Sequence, residues 1–162
     1  MDEDDLKGVM KYEFNDIEKS GILDFGFQIR AKDGKDYTEW EMVMSAPEDS
    51  DYAGGHYLLN VKFEVDYPYE NPKIKFITPI YHCNVGNEGE LKINWMMRGM
   101  KMDYIMPRLL TLFYLQDTSV DENSEKCKLY KKHPDEFKAK IKKNVQEEAN
   151  KEIKLENNKE SI

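Results

Sequence analysis

Cysteine is scarce: Cys83 and Cys127 are the only two in 162 residues, too few and too scattered for a disulfide framework or a zinc cluster. His82 beside Cys83 does not complete a metal shell, because neighbouring ligands need others at suitable spacing. Neither a metal nor a cofactor is therefore expected. Long apolar runs are also missing, and none approaches the roughly 20 residues that cross a bilayer. No membrane insertion follows as an expectation. The start lacks the basic character of a leader, since Met1 to Asp5 holds four acids. The expected address is cytoplasmic or nuclear. Positive charge is in deficit too, with a formal net charge of -8. From Lys126 onward eleven lysines face seven acids, which leaves the first 125 residues at -12. Such a surface repels phosphate backbones and excludes nucleic acid as the expected partner.

What is present fits one mixed domain, with 40% hydrophobic and 12% aromatic residues. Leu6, Met10, Phe14 and Ile17 recur at helical spacing behind the acidic opening, and Gly21 ends the pattern. Residues 25–29 and 37–44 read as a hairpin turning at Asp33-Gly34. Tyr57 to Val65 alternates as a third strand, and Lys73 to Ile77 gives a short fourth. Beyond Pro107, the residues Leu109, Leu110, Leu112, Phe113 and Leu115 predict a central helix buried against the sheet. Residues 125–148 carry Leu129, Phe137, Ile141 and Val145 among lysines, as one or two amphipathic helices. From Ala149 to Ile162 the tail is polar enough to fray. The prediction is an α+β domain over 1–148 with a polar extension over 149–162.

The segment from Tyr52 to Gly89 joins several unusual spacings. They run Tyr52-x-Gly54-Gly55, Asp66-Tyr67-Pro68-Tyr69, Pro72, then Phe76-x-Thr78-x-Ile80-Tyr81-His82-Cys83-Asn84, and Gly89. This series resembles the ubiquitin-conjugating enzymes, and the likeness reaches back through Trp40 to the first helix and forward to Tyr130-Lys131. The resemblance implies their fold: an N-terminal helix, a four-stranded antiparallel meander, a central helix and C-terminal helices. In that family a cysteine eight residues after the asparagine of a His-Pro-Asn motif carries ubiquitin as a thioester. Counted from Asn84, that place is Lys92, within Gly89-Glu90-Leu91-Lys92-Ile93-Asn94, which matches the family on both sides of the missing cysteine.

A thioester stays reactive, whereas an amine that captured the same carbonyl would form a stable amide. Lysine at 92 therefore ends turnover, and a solvated surface role is expected for it. Asn84 matches a family asparagine that serves to stabilise an oxyanion or to order its loop; without the nucleophile, the loop role is expected. His82 is expected to support the same turn rather than to move protons. His82, Asn84, Lys92, Asn94 and Glu122 are thus the vestigial active-site positions, with Asp121 and Glu122 together the nearest match to the family's acidic loop. Cys83 takes the proline position of the motif, and nothing in the sequence aims an activating group at it. Cys127 reads as a small hydrophobe at the start of a late helix.

The resemblance also locates partner surfaces and their departures. Gly8, Val9 and Tyr12 stand where the family shows basic residues to the activating enzyme, and the acidic opening adds to the mismatch. Tyr69 matches the aromatic of one ligase-docking loop, while residues 96–102, including Met97 and Met100, replace the Trp-x-Pro-Ala segment of the other. Val9, Tyr12, Tyr69, Met97 and Met100 are the candidate contacts for a protein partner: ubiquitin, a ubiquitin-like modifier, or a multisubunit assembly. The leading expectation is a non-catalytic interaction module or structural subunit. An active conjugating enzyme bearing an engineered lysine at 92 is the alternative, which codon 92 of the source gene decides. Activity through Cys83 is the third, and a thiol-sensitive ubiquitin adduct lost on Cys83→Ser would be its sign.

Overall fold

The computed structural model describes residues 1–159, starting with helix α1 (Glu3–Lys19). Asp2 caps it, accepting from the Asp5 N–H at 2.8 Å, while the Asp5 carboxylate reaches back to the Asp2 N–H. Glu3, Asp4 and Asp5 in the first turn complement the helix dipole. Leu6, Met10, Phe14 and Ile17 are all buried. Each such side chain contributes about 2 kcal/mol by leaving water.

Four strands follow in the order β1 (Phe27–Lys32), β2 (Asp36–Ser45), β3 (His56–Lys62) and β4 (Lys73–Phe76), all antiparallel. The strand expected to begin at Phe25 starts instead at Phe27, because Ile22–Phe25 forms a 3-10 turn between Gly21 and Gly26, both at positive φ. The hairpin turns at Asp33-Gly34 as predicted, with both residues at positive φ. Trp40 pairs with Val61 across β2 and β3 and sits edge-on to Phe14 of α1, with ring centroids 5.2 Å apart. Helix and sheet meet around that indole. On the outward face, Arg30 and Lys32 stand 3.9 and 3.1 Å from Glu41 and Glu39, pairs worth a few tenths of a kcal/mol each.

The central helix, α2 (Met102–Leu109), begins before Pro107 rather than after it. Leu110–Phe113 continues it as a 3-10 turn, and Leu115 lies exposed beyond. Pro107 falls inside this eight-residue helix, near its C-terminal end, where it has no N–H to offer the carbonyl four residues back. The Tyr67 hydroxyl supplies the missing cap by accepting from the Met102 N–H at 3.0 Å. Helices α3 (Glu125–Lys132) and α4 (Pro134–Asn144) finish the domain, and a wider turn over Val145–Ala149 closes α4. Among the described residues no helix is long and apolar enough to cross a membrane.

The tail departs from expectation. Residues 153–159 do not fray but run alongside β1, the open edge of the sheet. Gln28 donates to the Ile153 carbonyl at 2.7 Å and accepts from the Leu155 N–H at 2.9 Å. Asn158 accepts from the Ala31 N–H at 2.8 Å, and the Lys159 N–H donates to the Gly34 carbonyl at 2.8 Å. The Asn158 amide thus satisfies the Ala31 N–H on the open edge, while the Gln28 amide holds the tail's main chain beside it. Residues 160–162 of the expected extension lie outside the described residues.

Candidate functional site

The chain leaves β4 into a loop whose hub is Asn84, buried together with His82. The Asn84 amide donates to the Asp117 carbonyl at 2.8 Å and to the Lys92 carbonyl at 3.1 Å. Its oxygen accepts from the Asp117 N–H at 2.9 Å, and its main-chain carbonyl accepts from the Lys92 N–H at 2.7 Å. One side chain therefore ties together three segments: the loop itself, residue 92, and the stretch after α2. Every polar atom of the amide is engaged within the protein, as loop bracing requires.

His82 supports the same loop from the other side. Its Nδ1 accepts from the Asn84 N–H at 2.9 Å, so Nε2 carries the proton and donates to the Leu112 carbonyl at 2.6 Å. Burial pulls its pKa down to about 4, which keeps the imidazole neutral. Gln116 accepts from the Cys83 N–H at 2.8 Å and donates to the Tyr52 hydroxyl at 2.8 Å. That hydroxyl in turn donates to the Tyr81 carbonyl.

Asn84→Ala should lower stability by about 2 kcal/mol, because it strands the Asp117 N–H and two carbonyls in a poorly hydrated site. Asn84→Asp should cost at least as much at neutral pH, since its oxygens would face carbonyl oxygens. Urea midpoints measure both, and an unchanged midpoint for the alanine variant would refute the bracing role.

Position 92 follows a short bridge between Val85 and Leu91. The Lys92 ammonium lies 2.8 Å from the Asp121 carboxylate, with about a third of its side chain exposed. The hydrogen bond to Asp121, more than any other influence, raises the lysine pKa above its ordinary value. At neutral pH the nitrogen is protonated and has no lone pair for a carbonyl. The solvated lysine expected from the sequence is therefore an ion-paired one. Asp121 makes that contact, whereas no hydrogen bond or ion pair is recorded for Glu122 among the described residues. Lys126 stands nearby, its ammonium donating to the Val85 carbonyl at 2.8 Å, with burial pulling its pKa down.

Neither thiol is accessible. Cys83 is buried with its Sγ directed toward Asn84 Oδ1 at 3.8 Å, and burial pushes its pKa up, away from the reactive thiolate. Cys127 is fully buried on α3. Asn94 is exposed, and with Trp95, Arg108 and Leu115 it lines a 190 Å³ hollow beside the Asn84 loop. The Arg108 guanidinium lies over Trp95, 4.8 Å from the ring centroid. Sequence reasoning did not single out Gln116, Asp117 or Arg108; the polar pair closing the apolar run at Leu115 was the available signal for the first two.

The candidate contact residues fall on two surfaces. Val9 and Tyr12 lie exposed on α1, Tyr12 at 75% of its full area. Tyr69 and Met97 are exposed at 70% and 65%, while Met100 is half-buried with its sulfur against the Met97 N–H at 3.3 Å. Their two loops are stitched together, the Gly99 N–H donating to the Pro68 carbonyl at 2.8 Å and Asn71 to the Met96 carbonyl at 3.2 Å. The peptide between Tyr67 and Pro68 is cis. Tyr69 and the methionine segment thus form one surface.

Comparison with known proteins accords with this geometry. The family model for ubiquitin-conjugating enzymes matches residues 9–145. A ubiquitin-conjugating enzyme E2 of African swine fever virus is 30% identical over 131 residues, covering 68% of this chain and 60% of the viral protein. Ubiquitin-conjugating enzyme E2 15 of Schizosaccharomyces pombe is 42% identical over 69 residues, 43% of this chain and 41% of the yeast protein. The chain spans about half the length of the curated relatives it matches. Among solved structures, the E2 domain of a Toxoplasma gondii ubiquitin conjugating enzyme superposes with a TM-score of 0.75 at 21% identity, covering 88% of this chain and 97% of that one, a likeness of fold. With 137 consecutive positions matched and the four-stranded meander between its helices in place, this chain belongs to the ubiquitin-conjugating enzyme family.

Proposed function

We propose that this chain works as a non-catalytic member of its family, a protein-interaction module in ubiquitin signalling or a fixed subunit of a larger assembly. One observation carries the reading: where the family motif places a thiol, Lys92 holds its ammonium 2.8 Å from Asp121. An acyl group needs a nucleophile that can take it and then release it, and a protonated, ion-paired amine does neither. The buried thiols of Cys83 and Cys127 offer no substitute. Support for a binding role comes from the apolar groups left in water, Tyr12 on α1 and the joined Tyr69 and Met97 surface.

A charging assay tests this directly. Incubated with activating enzyme, ubiquitin and ATP, the protein should form no adduct that thiol reagents release, and Cys83→Ser should change nothing. A discharging adduct formed through repeated cycles would overturn the proposal. Purified from its source under native conditions, the protein should elute with a partner; a free monomer at every salt concentration counts against the module.

A further inference from the structure

Four lysines from three separate segments gather at one place beside α1. Lys7 and Lys11 lie one helical turn apart on α1, Lys35 stands in the β1–β2 turn and Lys159 on the tail; with Asp36 and Tyr37 they line an open pocket of 500 Å³. Three segments remote in sequence are held together there. The Lys159 N–H donates to the Gly34 carbonyl at 2.8 Å, Asn158 donates to the Tyr37 hydroxyl at 3.3 Å, and the Lys11 ammonium lies 5.7 Å from the Tyr37 ring centroid. The Tyr37 ring is thus a floor shared by helix, turn and tail.

Four lysines against one acid, Asp36, leave the lining with a surplus of positive charge. Asp36 turns its Oδ1 to the Thr38 N–H and hydroxyl, at 3.0 and 2.6 Å. Asp4 approaches Lys7 only to 3.9 Å, with both side chains mostly in water. No ion pair is recorded for Lys11, Lys35 or Lys159 among the described residues. Exposed ammoniums closer than a Debye length, about 8 Å at physiological salt, repel one another. A compact multivalent anion relieves that repulsion, whereas an extended one would also meet the surrounding acids of a chain at net charge -8.

We propose that this pocket binds a phosphate-dense small anion, an inositol polyphosphate free or as a lipid headgroup, and that the bound anion fastens the tail to α1. Lysine suits such a ligand because its ammonium meets phosphate as a point charge from any direction. The volume lies within the range of about 300–1,000 Å³ usual for small-molecule sites. Glu18 faces the adjoining hollow beyond Lys11, which confines the anion to the Lys7 side. This inference is independent of what happens at residue 92.

Titrating the full chain calorimetrically with inositol hexakisphosphate should give saturable one-to-one binding that weakens as salt rises. The double variant Lys11→Glu, Lys35→Glu should lose affinity by about 100-fold or more. Lys62→Glu with Lys73→Glu makes the same change in net charge on β3 and β4 and should stay within about twofold. Bound ligand should also slow hydrogen exchange at the Ala31 and Lys159 amides. Vesicles bearing phosphatidylinositol bisphosphate separate the sources: binding to them but not to phosphatidylcholine vesicles supports a headgroup, and soluble binding alone supports a free anion. No saturable heat, or equal losses in the two double variants, would overturn the site.

Discussion

Trp40→Ala should lose about 4 kcal/mol of folding stability and lower the melting temperature by roughly 12 °C. The indole is fully buried where α1 meets β2, edge-on to Phe14 at 5.2 Å and to Phe63 at 4.8 Å. Its Nε1 also donates to the Tyr37 carbonyl at 2.8 Å. Truncation therefore opens a void, breaks two aromatic contacts and strands a carbonyl. The surrounding elements cannot collapse inward, because β2 is pinned on both sides by β1 and β3. Val9→Ala on the exposed face of α1 is the control and should stay within about 0.5 kcal/mol. Urea unfolding of the two variants measures the contrast, and a loss under about 2 kcal/mol for Trp40→Ala would mean that the core closes over the void.

Acid should destabilise the fold through His82. Its pKa lies near 4 in the folded protein, against 6.5 ordinarily, because burial disfavours the imidazolium. The unfolded chain therefore binds a proton that the folded chain refuses between those values. The stabilisation is complete above pH 6.5 and drains away as pH falls toward 4, by about 3 kcal/mol in all. His82→Gln keeps a donor for the Leu112 carbonyl and an acceptor for the Asn84 N–H, yet cannot titrate over this range. Its stability should be lower at neutral pH but flatter below it, once carboxylate losses common to both proteins are subtracted. Parallel stability curves from pH 6.5 to 4 would show that the folded imidazole takes up its proton freely.

Much of this architecture was legible in the chain. The stripe of Leu6, Met10, Phe14 and Ile17 is local and periodic, so the sequence exposes it, and all four are buried. The Asp33-Gly34 turn needs positive φ, which few residue pairs supply. What stayed hidden depended on distant partners. Helix α2 starts at Met102 because the Tyr67 hydroxyl caps it across 35 positions, so Pro107 gave a false start. The tail lies flat because Gln28 and Asn158 reach across more than 120 positions, and polarity alone suggested fraying. At residue 92, spacing located the lysine, but choosing Asp121 over Glu122 as its neighbour required the loop's path.

The interlock of His82 and Asn84 separates the shape of this loop from its chemistry. A short His-x-Asn signature is commonly taken as a trace of chemistry, yet here both residues serve as masonry. Selection that preserves only the shape of this loop would keep them, whatever residue 92 carries. The presence of the signature therefore does not by itself show that the reaction is inherited.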